Sequence, residues 1–151
     1  MSRMSEDRVD LWSGWSVSLP PGCESARNDD ASWSAWDATH AIDAGIIDTS
    51  GRQDGSPLSA EEMMGDETRG ELHQLDGAIV RISTDIETTD TADGPQSIEW
   101  TRVNAAAVNT ALIMSIGNAG ERDVAWHDLV WRSVRHETKQ PERFGGLFGK
   151  R

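Results

Sequence analysis

The chain has one cysteine, no tyrosine, two phenylalanines and, by count of the sequence, two lysines among its 151 residues. A lone Cys23 cannot form an intrachain disulfide and cannot build a cysteine-based zinc site. No apolar run approaches the roughly 18 residues that a membrane helix needs. Residues 1–7 carry no apolar core of the kind a secretory signal has. These absences predict a reduced, cytoplasmic protein without a transmembrane segment. Basic residues are scarce too: 14 Lys and Arg stand against 26 Asp and Glu, a net charge of −12. A nucleic-acid partner, which needs a basic surface to neutralise phosphate, is therefore not expected.

The charge is unevenly spread. Residues 32–95 hold 14 Asp or Glu against 3 Arg, whereas residues 121–151 hold 7 Arg or Lys against 5 acids. Such polarity suits a protein partner with a basic surface, steered by complementary fields. It suits an ordinary solubilising surface equally well. Seven Trp supply most of the aromatic bulk, and a chain of this length is enough for one domain with its own core.

Periodicity divides the chain into a disordered lead-in over 1–8, a single α+β domain over 9–138 and a flexible, Gly-rich tail over 139–151. Trp15, Val17 and Leu19 alternate with Ser16 and Ser18, the pattern of a half-buried strand, which Pro20-Pro21-Gly22 ends. Residues 24–31 read as a polar loop. Further strands follow at 32–37, 40–48, 78–83, 96–106 and 108–118, with 88–95 as a polar hairpin loop. Ser59, followed by Glu61 and Glu62, marks the start of a short helix that stops near Gly65. Residues 121–136 place Val124, Trp126, Leu129, Val130, Trp131 and Val134 on one broad helical arc. The predicted fold is thus α+β: an antiparallel sheet of about six strands, with a short mid-chain helix and a long C-terminal helix packed on it.

That order resembles the PsbP-like sandwich, a group that includes a small Ran-binding import factor and DcrB-type adaptors. The matching features are a first strand running into Leu19-Pro20-Pro21-Gly22, the short helix after a Ser-rich turn, the long hairpin over 78–118, and a final helix ending Trp131-Arg132-Ser133-Val134. The chain has Cys23 where the family usually carries Trp. The resemblance implies a binding or adaptor role, and no functional residue is carried over with it.

Site chemistry is sparse. Asp37-x-x-His40-x-x-Asp43 is the most ligand-like cluster, but residues three apart on a strand face opposite ways, so it converges only if 38–41 is a bend. His127 falls within the apolar arc and reads as a packing histidine. No Gly-x-Ser-x-Gly elbow is present, and Gly145-Gly146-x-x-Gly149-Lys150 has no helix after it to form a phosphate loop. A glutamate beside Cys23 argues against a reactive thiolate. Neither a cofactor nor a metal is expected. The tail places Phe144, Leu147 and Phe148 among glycines, where apolar residues suit docking onto the domain or onto a partner. The expected function is a non-enzymatic protein-binding module, such as an adaptor, chaperone or immunity-type protein. The alternatives are a small hydrolase or metal-dependent enzyme built on Asp37, His40 or His127, and a small-ligand carrier with a Trp-lined cavity between helix and sheet.

Overall fold

The computed structural model describes residues 7–28, 32–66 and 69–137. In chain order the elements are β1 (Asp7–Asp10), β2 (Trp15–Leu19), β3 (Glu24–Arg27), β4 (Ser32–Trp36), β5 (His40–Asp48), α1 (Ala60–Met64), β6 (Glu71–Leu75), β7 (Ala78–Thr91), β8 (Gly94–Ala107), β9 (Thr110–Asn118), α2 (Val124–Arg132) and β10 (Arg135–His136). All strand pairing is antiparallel, in a seven-stranded sheet ordered β3-β4-β5-β9-β8-β7-β6 and a three-stranded sheet ordered β1-β2-β10. The chain is mostly β. This corrects the α+β expectation of one sheet of about six strands under a long C-terminal helix.

Alternation along the strands decides which face is buried. In register across the large sheet lie Ala44, Met114, Val103 and Ile82, and beside them Ile46, Leu112, Ala105 and Val80. Onto these rows pack Trp15, Val17 and Leu19 of β2 and Val130 and Trp131 of α2, forming one core cluster. The Trp15 indole N–H donates to the buried Thr110 hydroxyl at 2.9 Å, so the largest side chain of the small sheet leaves no polar group unpaired. On the opposite face α1 lies against β7, β8 and β9, and Ala106 of β8 is buried there too. The Ser59 hydroxyl accepts the Glu62 N–H and the Glu62 carboxylate accepts the Ser59 N–H, a complete capping box that starts α1.

The helix expected over 121–136 covers only nine residues. Asp123 caps its start by accepting the Trp126 N–H at 3.2 Å. At its end the Ser133 hydroxyl donates to the Val130 carbonyl at 2.6 Å and accepts the Ser18 N–H at 2.9 Å, which turns the chain back onto β2. Val134 is buried after the helix has ended, and Arg135–His136 continue as a strand on β2. The buried arc is correspondingly narrow: Val124 and Leu129 are exposed.

Three further expectations change. Residues 24–27 are a strand, paired from Glu24 with Trp36 to Arg27 with Trp33. All four side chains of β3 are exposed, so there was no alternation to read. The hairpin loop expected over 88–95 shrinks to Ala92 and Asp93, because strand pairing continues to Thr91 with Gly94. Asp7 and Arg8, expected in the lead-in, pair with Leu19 and Ser18. Among the described residues no helix is long and apolar enough to cross a membrane.

Candidate functional site

The turn from β4 to β5 brings Asp37 and His40 together. Asp37 accepts the backbone N–H groups of Thr39 and His40 at 2.9 and 2.8 Å, the local bond by which Asp closes a tight turn. Its carboxylate also reaches His40 Nδ1 at 2.9 Å. The other ring nitrogen, Nε2, meets Asp123 at 2.9 Å, the residue that caps α2. The imidazole stacks on Trp126 of α2, with ring centres 4.0 Å apart and planes 12° apart. Burial alone would lower the His40 pKa. The hydrogen bonds to Asp123 and Asp37 outweigh it and hold the pKa above its ordinary value. Asp123 is held below the usual carboxylate range by the His40 bond and the Trp126 N–H. His40 is thus clamped between two carboxylates that favour its protonated form, tying the β4–β5 hairpin to the start of α2.

Asp43 does not join them. It lies on the outer face of β5 and accepts the Ser34 hydroxyl at 2.9 Å, as three-residue spacing on a strand requires. Among the described residues no group of three or more His, Cys, Asp or Glu could hold a metal ion.

His127 is fully buried on the other side of the same node. Its Nδ1 meets the Thr101 hydroxyl and its Nε2 the Asn118 side-chain oxygen, both at 2.7 Å. Burial first, and then the Arg122 charge, push its pKa down, so this ring is neutral. Asn118 is itself saturated: it also accepts the Asp123 N–H and donates to the Ala119 and Glu121 carbonyls. Every ring nitrogen of the two histidines is committed to a partner within the protein, and the lone pair of neutral His127 is buried. Cys23 is half-buried, and burial followed by the nearby Asp37 raises its thiol pKa. The acid responsible is Asp37 across the β3–β4 hairpin.

A different surface stands open. β6 covers β7 only as far as Ile82, and β9 covers β8 only from Thr101 onward. Beyond those points residues 85–91 and 94–100 pair with each other alone, a two-stranded arm about 20–25 Å long. Every side chain from Thr84 to Asp93 is exposed. The arm holds Asp85, Glu87, Asp90, Asp93 and Glu99, and no Lys or Arg occurs between residues 84 and 99. At its root, on the outer face, an open trough of about 330 Å³ lies between Trp36 and Trp100, with Gly117 in its lining. A Cβ on Gly117 would come within 2.6 Å of the Trp100 ring, so only glycine lets the indole sit this close to β9. The Trp100 N–H donates to Glu87 at 3.2 Å, joining trough to arm.

The fold has a solved counterpart. A crystal structure from Bacteroides thetaiotaomicron VPI-5482, whose description assigns no activity, superposes with a TM-score of 0.65 at 10% identity. The match takes in 90% of this chain and 50% of that one, so this chain spans about half the length of its counterpart. At that identity the likeness concerns the fold alone. No family model matches the chain, and no curated protein matches it.

Of the residues expected to carry function, Asp37 and His40 meet, Asp43 points away, and Phe144, Leu147 and Phe148 lie outside the described residues. The reading missed Asp123, Asn118 and the arm. Asp123 had a signal, since an Asp just before the apolar run 124–131 is an N-cap pattern. The arm had a weaker one: β-forming Thr and Ile between single acids on both sides of a two-residue turn.

Proposed function

We propose that this chain is a non-enzymatic protein-binding module of the cytoplasm that engages a basic partner through the β7–β8 arm and the trough at its root. The observation that carries this reading is the arm itself. A two-stranded ribbon without a third strand is marginal in water, and this one carries five carboxylates with no Lys or Arg between residues 84 and 99. Cations reach it at its root, where Arg102 lies 3.4 Å from Asp85 and Arg122 lies 3.6 Å from Glu99. A basic segment laid along it would gain charge pairing and unpaired strand edges together. The Trp36–Trp100 trough offers an apolar anchor beside that charged rim, the division of labour typical of interface hot spots. The same carboxylates repel phosphate, which favours a protein over a nucleic acid. An adaptor, chaperone or immunity role, as the PsbP-like resemblance implies, belongs to this proposal.

The test is capture from native extract with four baits: the full chain, a chain stopped at Gln140, an arm-neutralised Asp85→Asn/Glu87→Gln/Asp90→Asn/Asp93→Asn variant, and Trp100→Ala. The expected partner is basic, binds at low salt, survives removal of the tail and is lost with arm neutralisation. Equal capture by the neutralised arm would overturn the reading, and loss only with the tail would move the site to Phe144, Leu147 and Phe148.

A further inference from the structure

On the inner face, away from the trough, an open cleft of about 470 Å³ lies between α2 and the β6–β7 end of the large sheet. Its size is in the range of small-molecule sites, about 300–1,000 Å³. Its charge runs against the rest of the molecule. In a chain of net charge −12, Arg69, Arg122 and Arg132 line one cleft together with His73. Two carboxylates share it. Asp128 is already committed, accepting the Trp131 indole N–H at 2.9 Å. Glu71 is 84% exposed and 3.4 Å from His73 Nε2.

Arg132 and His73 are held in place by the core beneath them. Trp131 is buried, and its ring carries both the Arg132 guanidinium, 4.6 Å from its centre, and the His73 ring at 4.8 Å. A guanidinium stacked on an indole keeps its N–H edge free to meet an oxyanion in plane. Arg122, on the turn before α2, has loose partners among the described residues, Thr101 at 3.3 Å and Glu99 at 3.6 Å. Five N–H donors on that group exceed what those two contacts use. Trp131 is too buried to serve as a stacking surface, so recognition in the cleft rests on charge and hydrogen bonding, with Val124 and Ile82 as the apolar margin.

We propose that this cleft binds a small molecule through an oxyanion group, phosphate or carboxylate, held by Arg122 and Arg132 with His73 beside them. The cleft meets the acidic arm at its root, where Arg122 lies 3.6 Å from Glu99, and the carboxylates Asp85, Glu87, Asp90 and Asp93 lie outside its lining. The test is a backbone-amide NMR titration of the full chain with inorganic phosphate and, separately, with succinate. The expected result is saturable shifts confined to residues 69–73, 82–84 and 122–132, with whichever probe saturates naming the oxyanion. Arg132→Gln should weaken binding about tenfold, and Arg122→Gln/Arg132→Gln should abolish saturation. Arg132 is exposed, with its guanidinium over the Trp131 face, so the single variant reads binding even if the double variant is destabilised. Arg135→Gln and the arm-neutralised variant should bind as wild type, which separates this site from the arm. Shifts that fail to saturate with either probe, or saturation unchanged in Arg132→Gln, would overturn the assignment.

Discussion

His40 and His127 share one polar node and their pKa values are shifted in opposite directions, and that opposition is measurable. The folded-state pKa of His40 is raised, so its contribution to stability is complete below the unfolded value of about 6.5 and is lost as pH rises through the folded value. The pKa of buried His127 is lowered, so its contribution is complete above about 6.5 and is lost as pH falls through its folded value. Wild type should therefore lose stability on both sides of neutrality. His40→Gln should cost about 1–2 kcal/mol near pH 6, from two charge-assisted bonds at a partly solvated site. It should also flatten the loss above neutrality while leaving the loss below it. Urea midpoints on both sides of neutrality decide the matter; an alkaline loss identical in both proteins would remove His40 from the account. The Asp37–His40 half of this node was legible in the sequence, because an Asp three residues before a His can close on a turn. Its other half was not, since Asp123 lies 83 residues from His40 and no local pattern pairs them.

Strands whose side chains alternate between core and solvent could be read directly: Trp15, Val17 and Leu19 in β2, and Leu112, Met114 and Ile116 in β9, are all buried. The elements that escaped are those whose existence depends on a neighbour. β3 is wholly exposed and is a strand only because β4 offers an unpaired edge. α2 stops short of its apolar pattern because Ser133 bonds to Ser18 of β2. The tip of the β7–β8 arm, residues 84–93, is wholly exposed, and its part from 88 onward reads as a loop. That exposure makes its role separable from folding. Replacing residues 86–99 by Asn-Gly, a favoured two-residue hairpin turn, should leave the melting temperature within a few degrees of wild type. The same change should eliminate capture of the basic partner. A collapse of the melting transition would mean that the arm supports the core, and the binding proposal would lose its cleanest control.

Across the whole molecule the decisive contact is between the two sheets, which no single stretch of sequence displays. β10 contributes two residues to the small sheet, yet it lies between β2 and the turn that joins β6 to β7. The His136 N–H donates to the Asp76 carbonyl at 3.1 Å, and the Glu137 N–H to the Gly14 carbonyl at 2.9 Å. Gly77 makes this approach possible. Its φ of +80° is unfavourable for other residues, and a Cβ there would fall 1.9 Å from the His136 carbonyl oxygen. In the sequence Asp76-Gly77 registers as a break between strands; that it is also the seat of a third strand arriving from residue 136 depends on the closed fold. Gly77→Ala should therefore cost about 2–4 kcal/mol, combining left-handed backbone strain with displacement of β10. The two contributions can be told apart by amide exchange. If β10 is displaced, the His136 and Glu137 amides lose protection together while those of β9 keep theirs. If the whole cost is local strain in the turn, protection falls evenly across all strands as global stability drops. Retention of wild-type stability would show that β10 yields to the added methyl without loss, and that the closure of the two sheets does not depend on this glycine.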